Sequence, residues 1–353
     1  GQDTLFGRML VAEEMRRYRL ENIMRRRPSV LVVGTSTVME FRGQVFGSQA
    51  SESYNAGGVV QQIEHLLQLV PVLKEAQVRS VLVGLDFWWF NENWQTYRLP
   101  DIKELRTRAP FNQDLQARLH ALRSLGSALT DSDSKLADAL ERHYRGEEPD
   151  GYFPIGLQAQ LGAGFRGSDG SRRYPRAIQR SRENAPYEDG MKTLERIMKR
   201  KQQFVGATRV SRQALAVLRQ FIEECHRAGI KLAFVLPPIA PSTYRAMMAS
   251  PDHHDLLTSF SAEVTALLES SRVPYVSATV ADSVGVEEQH MLDGLHGSEV
   301  AMARVFLALL RSPGASDVFP GSNPATLERS LATKKENPRE VEVWSGYAGP
   351  VPN

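Results

Sequence analysis

Short apolar runs bounded by turn residues alternate with longer amphipathic segments along much of this chain. Apolar runs of roughly four to eight residues are typical of buried strands in a parallel sheet, whereas apolar residues at helical spacing indicate amphipathic helices. Strands are predicted at residues 30–33, 80–84, 231–236 and 273–276, and helices at residues 59–76, 211–227, 260–270 and 299–311. This alternation predicts an α/β fold, a three-layer α/β/α flavodoxin-like parallel sheet with helices on both faces.

Composition divides the chain into a sheet-forming body and three other segments. Residues 1–28 predict an amphipathic helix that ends at a proline. Residues 29–98 and 207–311 form the predicted α/β core, and the polar residues 99–206, interrupted by Gly and Pro, predict an inserted helical cap. Residues 312–353 are rich in Pro and Gly, which predicts an irregular tail that either wraps the body or is mobile.

The net charge is only +2 over 353 residues, which gives no strong argument for a nucleic-acid partner. Arginines nevertheless crowd the N-terminal helix, which indicates a solvated helix face or, alternatively, a surface for anionic lipid or polymer. A single cysteine, Cys225, excludes an intrachain disulfide and lies on an apolar helix face, which predicts a buried structural thiol. The sequence contains no Cys/His spacing for a metal and no P-loop, so no metal or cofactor is expected.

Two motifs near opposite ends of the chain carry the candidate chemistry. Ser36 follows the first predicted strand, and Asp293 precedes His296 by three residues just before the last predicted helix. Because ligands bind beyond the carboxyl ends of strands in such sheets, we expect the three side chains at one edge. They supply the parts of a Ser-His-Asp triad, which is defined by roles and geometry. A turn serine, with an acid and a histidine that face solvent, is the alternative.

Three short blocks in this order resemble the SGNH/GDSL hydrolase superfamily. The blocks are Gly-Thr-Ser-Thr at 34–37, Tyr-Asn-Ala-Gly-Gly at 54–58 and Asp-Gly-Leu-His-Gly at 293–297. The resemblance covers about residues 29–95 and 230–311. Within the superfamily, the chain looks like membrane-associated branches, which include polysaccharide O-acetyltransferases related to alginate acetylation and the D-alanyl transfer proteins of teichoic acids. In the alginate-type enzymes the acid–histidine motif precedes the serine, whereas here it follows, so the resemblance is to the branch.

The resemblance implies a role for each of five residues. Ser36 would be the nucleophile, His296 the general base and Asp293 the acid that orients it. The oxyanion would be bound by the backbone N–H of Ser36 and by that of Gly58, with Gly57 nearly as suitable. It also implies an SGNH-type sheet and a reaction that needs no cofactor.

The third block of the superfamily, Gly-x-Asn, is altered in this chain. Asp86 occupies the position of the asparagine whose amide donates to the oxyanion. An ionised carboxylate accepts hydrogen bonds and cannot donate one, so Asp86 is expected to turn away from Ser36 and to bind backbone N–H groups or a basic residue. Asn91, Asn93 or a backbone N–H could replace the missing donor. A structural acid at the strand end is the alternative.

An aromatic segment follows directly, with three tryptophans in residues 87–94. Aromatic faces bind sugar rings while amide groups bond the hydroxyls, so the segment predicts a carbohydrate platform, with an aromatic core under the cap as the alternative. Arginines near the serine and in the cap could bind an anionic acceptor or be solvated loop charges. The candidate substrate-binding residues are Trp88, Trp89, Asn91, Asn93, Trp94, Arg42 and Arg166.

The expected function is serine-dependent acyl transfer at a carbohydrate hydroxyl through an acyl-Ser36 intermediate. The enzyme would be an O-acyltransferase or an acetylesterase that acts on a cell-envelope or exported polysaccharide, with an acyl donor, a carbohydrate acceptor and a membrane-bound acyl-transfer partner. The resemblance implies an extracytoplasmic location, with a membrane anchor in a segment that this sequence does not include. The alternative is a catalytically silent carbohydrate-binding or assembly protein, because a fold does not fix a function.

Overall fold

The computed structural model describes residues 12–94, 101–107, 164–165, 169–173, 192–332, 338–341 and 344. The strands are β1 (Val30–Val33), β2 (Ser53–Asn55), β3 (Ser80–Gly84), β4 (Gly164–Phe165), β5 (Arg172–Arg173), β6 (Lys231–Leu236) and β7 (Tyr275–Ser277). Five of them form a parallel sheet in the order β2-β1-β3-β6-β7. β4 and β5 form a separate antiparallel pair. All carboxyl ends of the main sheet therefore meet at one edge, which we call the C-edge.

Helices cover both faces of the main sheet. They are α1 (Ala12–Arg26), α2 (Glu64–Glu75), α3 (Ile102–Thr107), α4 (Thr193–Met198), α5 (Arg212–Arg227), α6 (Pro241–Met248), α7 (Pro251–Ser270), α8 (Glu299–Leu310), α9 (Ala315–Val318) and α10 (Pro324–Ala332). Side chains of α1, α2, α5 and α7 pack with Leu31 and Val33 on one face, and those of α8 and α9 pack with Val30 and Val32 on the other. The predicted three-layer α/β class is thus confirmed.

Most predicted elements are present, with shifted ends. The predicted helix 59–76 begins only at Glu64, and the predicted helix 260–270 is the second half of α7, which starts at Pro251. Ser211 caps α5 by accepting from the Ala214 N–H, as its sequence context indicates. Strand β2 and helix α6 were not predicted, because β2 reads Ser-Tyr-Asn and contains no apolar run.

The arginines of α1 do not form a solvated face. Arg16, Arg17 and Arg19 are buried, and only the arginines at the end of the helix are exposed. Arg16 Nε donates to the Val59 carbonyl at 3.0 Å, and Arg19 Nη1 donates to the Asn55 carbonyl. For Arg16 and Arg19, burial of the cation is offset by backbone acceptors at the end of β2 and beyond it, so this part of α1 secures the C-edge rather than facing solvent.

The cap and the tail are described in part. Most of residues 99–206 lie outside the described residues, and α3, β4, β5 and α4 are the elements of that range described here. The described part of the tail packs against the body, because Val318 and Phe319 join the core. It contains two regular helices, α9 and α10. The expectation of a tail without regular elements is therefore wrong for α9 and α10, where Pro324 starts a helix rather than breaking one. Across the described residues, no helix is both long enough and apolar enough to cross a bilayer.

Candidate active site

Ser36 opens a short 3₁₀ turn at the C-edge, just beyond β1. The chain turns at Gly34, where φ is +154° and a Cβ atom would lie only 2.9 Å from Val38 Cγ2. This close approach requires glycine. Thr35 caps the turn, because its hydroxyl accepts from the Thr37 N–H at 3.3 Å. The turn leaves Ser36 partly exposed.

Asp293 and His296 form a self-contained loop just before α8. Asp293 Oδ1 accepts from the N–H groups of Leu295 and His296, both at 2.7 Å, and Oδ2 lies 2.7 Å from His296 Nδ1. Burial disfavours the charged carboxylate, yet the nearby His296 and the N–H donors hold the pKa of Asp293 below its usual range. An ionised Asp293 accepts the Nδ1 proton, which fixes the imidazole ring and leaves Nε2 as an acceptor.

His296 Nε2 lies 2.8 Å from Ser36 Oγ, although the two residues are 260 positions apart in the chain. The structure thus brings together the three residues singled out in the sequence, in the order serine, histidine, aspartate. With Nδ1–H hydrogen-bonded to Asp293, Nε2 can accept the serine proton. This is the arrangement in which a histidine activates a serine for attack on a carbonyl carbon.

The two glycines predicted as oxyanion donors are otherwise engaged. The Gly57 N–H donates to Asn55 Oδ1 at 2.8 Å, and the Gly58 N–H donates to the Gly34 carbonyl at 2.7 Å. The prediction is therefore wrong for both glycines, because each N–H already donates a hydrogen bond within the protein. Gly58 instead serves close packing, since φ is +90° and a Cβ atom would lie 2.4 Å from Met39 Cε. Ser36 is the first residue of its 3₁₀ turn. N–H groups in the first turn of a helix have no acceptor within that helix.

Asp86 bonds the residues on both sides of Ser36. It accepts from Thr35 Oγ1 at 2.7 Å and from Thr37 Oγ1 at 2.9 Å. The prediction that Asp86 does not act as an oxyanion donor agrees with these contacts. Its expected partners, backbone N–H groups or a basic residue, were wrong, because two hydroxyls take their place.

Two tryptophans of the aromatic segment belong to the core. Trp88 and Trp89 are 5% and 4% exposed, and Trp89 Nε1 donates to the Gln61 carbonyl at 3.1 Å. Trp94 is half-buried and packs against the same core. The prediction of an exposed sugar platform is therefore wrong for Trp88 and Trp89. Their rings pack with Phe87 and neighbouring aromatic side chains, which is the alternative that the sequence left open.

Asn91 and Asn93 hold a neighbouring loop instead of presenting their amides to a substrate. Asn91 Nδ2 donates to the Val205 carbonyl at 2.6 Å, and its Oδ1 accepts from the Asn93 N–H at 2.8 Å. Asn93 Nδ2 donates to the Gly206 carbonyl at 3.0 Å. Because these amides are committed to the backbone at 205–206, the prediction that they bind substrate is not supported by their contacts, and neither bonds Ser36.

Arg42 forms a buried ion pair rather than an acceptor site. Its Nη1 lies 2.9 Å from Glu299 Oε2 and its Nε lies 3.5 Å from Asp169 Oδ2. The Arg42 and Glu299 side chains are only 9% and 3% exposed, so Arg42 does not face solvent. The prediction of substrate binding is therefore wrong for Arg42. Arg166 lies outside the described residues.

We expect Arg42→Ala to lower the free energy of unfolding by about 3–5 kcal/mol, because it breaks a buried ion pair by removing the cation and leaving the carboxylates buried. Urea denaturation followed by circular dichroism measures the loss. Arg209→Ala is the matched control, because Arg209 pairs with Glu92 while its own side chain is 75% exposed, and exposed pairs contribute little. Equal losses in the two variants would contradict a stabilising role for the buried pair.

Several residues that shape the site were not found from the sequence. Asn55 Nδ2 donates to the carbonyls of Val38, Met39 and Phe41, which holds the chain just after Ser36. Asp169 accepts from the Gly43 N–H at 2.8 Å, so a piece of the predicted cap also fixes this region. The signal for Asn55 is its place in the second block. For the bond between Asp169 and Gly43 there is no such signal, because the two residues are 126 positions apart in the chain.

No cluster of His, Cys, Asp or Glu side chains that could hold a metal occurs within the described ranges. Comparison of the chain with protein families, with curated proteins and with solved structures gave no match. The geometry of the site is therefore what its function can be inferred from. A partly exposed serine is hydrogen-bonded to a histidine at the C-edge of an α/β sheet, and a buried carboxylate orients that histidine.

Proposed function

We propose that this protein is a serine-dependent acyl-transfer enzyme of the SGNH type. The observation that carries the proposal is the continuous hydrogen-bond chain from Ser36 Oγ through His296 to Asp293, with distances of 2.8 and 2.7 Å. The partial exposure of Ser36 gives a substrate access to Oγ. The three sequence blocks that resemble the SGNH/GDSL superfamily add support, because all three lie at the C-edge.

The reaction would have two halves that share the same base. Ser36 Oγ attacks the carbonyl carbon of the acyl donor while its proton passes to His296 Nε2. The intermediate collapses, the bond to the leaving oxygen breaks, and that oxygen takes the proton from His296, which leaves acyl-Ser36. An acceptor hydroxyl then gives its proton to His296 and attacks the acyl carbon, and Ser36 Oγ leaves and regains a proton. Asp293 stabilises the imidazolium in both halves.

A carbohydrate hydroxyl is the proposed acceptor, and the support for it is the resemblance to polysaccharide O-acetyltransferases. An O-acyltransferase or acetylesterase acting on an envelope or exported polysaccharide fits that resemblance. An extracytoplasmic location and a membrane-bound acyl-transfer partner belong to the same proposal. With Trp88 and Trp89 buried, other groups would have to hold the sugar.

One observation favours a second candidate, a catalytically silent carbohydrate-binding or assembly protein. The N–H groups of Gly57 and Gly58 are both engaged, so the Ser36 N–H is left as the sole oxyanion donor among those named from the sequence. Loss of one oxyanion donor costs about 10²–10³-fold in kcat, so this feature weakens catalysis without abolishing it. Trapping of the acyl-enzyme decides between the two candidates.

The expected result is a covalent acetyl group on Ser36 after brief incubation with p-nitrophenyl acetate and acid quenching, located by peptide mass spectrometry. Ser36→Ala should carry no adduct there. Ser283→Ala is the matched control, because Ser283 lies in another 3₁₀ turn, is exposed, and bonds only the Val280 carbonyl.

A chase of the acetylated protein then tests the acceptor. Oligosaccharides are added in one arm and buffer alone in the other, and acetylated sugar is measured against free acetate. Transfer to sugar supports the transferase, and release to water in both arms makes the protein an esterase. The absence of any acetyl-Ser36 would favour the silent protein.

A further inference from the structure

The carboxyl group of Asp86 bridges the two residues that flank the nucleophile. Each of its oxygens accepts one hydroxyl, Thr35 Oγ1 at 2.7 Å on Oδ2 and Thr37 Oγ1 at 2.9 Å on Oδ1. The two threonine oxygens are also 3.3 Å apart, so the three side chains form a closed group behind Ser36. The turn that carries Ser36 Oγ and the Ser36 N–H is thus fixed from both ends by one side chain.

The surroundings of Asp86 make these two bonds important. Asp86 is 2% exposed, and the small cavity that it lines is otherwise bounded by uncharged side chains, among them Leu85, Trp88, Phe260 and Thr279. Of the titratable groups at the site, His296 acts on it electrostatically, while Asp293 is bonded to His296 on the far side of the ring. A buried charge needs donors, and here the donors are the two threonine hydroxyls.

The two protonation states of Asp86 differ in what they can hold. As a carboxylate it accepts both hydroxyls at once. As a carboxylic acid it carries a proton on one oxygen, so the threonine at that oxygen must rotate and become an acceptor. Burial raises the pKa of Asp86 to about 7, while the bonds from Thr35 and Thr37 and the charge of His296 oppose that rise. The change between the states therefore falls near neutral pH.

We propose that Asp86 is a positioning residue that, as a carboxylate, holds Ser36 in attack geometry toward His296 through Thr35 and Thr37. This inference rests on the proposed acyl-transfer function. It adds a second group that must be deprotonated, because His296 must be neutral to accept the serine proton. Lowering the pH would then switch the site off in two ways, by protonating the base and by releasing the nucleophile turn.

The test is the pH dependence of kcat/KM for p-nitrophenyl acetate, together with the rate at which a fluorophosphonate probe labels Ser36. Two deprotonations give a slope that approaches about 2 on the acid side of a logarithmic plot until the enzyme with protonated Asp86 dominates, and one deprotonation gives a slope of about 1. Wild type should approach the steeper slope and Asp86→Asn the shallower one. The asparagine keeps the shape of the side chain but has one acceptor oxygen and does not titrate.

A positioning role predicts that the loss of activity appears in kcat rather than in KM. A displacement of about 1 Å costs about 10²-fold, so Asp86→Asn should lower kcat and the labelling rate by about that factor, with KM little changed. Thr37→Val should lose rate as well, and Thr37→Ser should recover most of that loss because it restores the hydroxyl. Combining Thr37→Val with Asp86→Asn should add little. Thr265→Val is the matched control, since the Thr265 hydroxyl bonds carbonyls of its own helix α7 and Tyr275 rather than Asp86.

Each outcome decides something. If Asp86→Asn keeps the wild-type slope and labelling rate while Ser36→Ala loses both activities, the positioning role is overturned and the proposed function stands. If wild type is neither labelled nor acetylated at Ser36, both are overturned. If Asp86→Asn loses rate but melts well below wild type, Thr37→Val and Thr37→Ser decide instead: a rate that does not return with the serine hydroxyl contradicts the inference.

Discussion

Alanine at position 36 is expected to lower kcat for a small acetyl ester by about 10⁴–10⁶-fold, because the atom that forms the acyl-enzyme is gone. The fold should not change, since the hydrogen bond from the Ser36 hydroxyl goes to His296, whose ring is still held by Asp293. The residual rate would come from the Ser36 backbone N–H and from substrate binding, which the substitution leaves in place.

This prediction is measured as steady-state turnover of p-nitrophenyl acetate at saturating substrate, with thermal unfolding recorded alongside. Ser283→Ala should turn over substrate like wild type. Turnover in Ser36→Ala equal to that of wild type would end the assignment of Ser36 as nucleophile. A small loss, about tenfold or less, would mean that water attacks directly and that the serine only orients it.

The second large effect is expected at His296. His296→Ala should lower kcat by about as much as Ser36→Ala, because without the imidazole neither the serine nor the acceptor hydroxyl can give up its proton. The double variant should be scarcely worse than the worse single variant, since members of such a unit act on one step and their effects do not add. Losses that multiply in the double variant would contradict a partnership between the two residues.

His290→Ala is the comparison for that experiment. His290 precedes His296 in the same connection, but its ring accepts from the Glu287 N–H at 3.0 Å within a separate 3₁₀ turn. Its loss should affect folding stability more than turnover per folded molecule. A fall in turnover equal to that of His296→Ala, in fully folded protein, would remove the special role of His296.

The backbone frame of the site could be predicted because apolar runs fix the strands and parallel strands end at one edge. Residues 30–33, 80–84 and 231–236 were each placed correctly, and that placement alone puts Ser36 near the Asp293–His296 loop. The acid–histidine spacing was also informative. In a tight loop, the side chain at the first position accepts both from the N–H and from the ring three residues later.

The contacts of side chains could not be predicted in the same way. Trp88 and a sugar-stacking tryptophan look alike in a sequence, and burial depends on elements distant in the chain, such as Phe260 on α7. Gly58 fails as an oxyanion donor because the Gly34 carbonyl lies within bonding distance, which depends on how two turns pack. The prediction for Asp86 was right in one part. Its charge excluded a donor role, but its hydrogen-bond partners depended on how the turn that carries Ser36 folds.

The wide separation of Ser36 and His296 has a consequence for biosynthesis. The chain is made from its N-terminus, and 260 residues must follow the serine before its base is added. Strand β6, the neighbour of β3, also comes from the second half of the chain, and such non-local pairings form slowly because long loops must close first. On the proposed mechanism, the Ser36 hydroxyl of a nascent or refolding chain would therefore stay unreactive until the sheet is complete. An unfinished chain would not react with acyl donors, and the appearance of esterase activity would mark the last stage of folding.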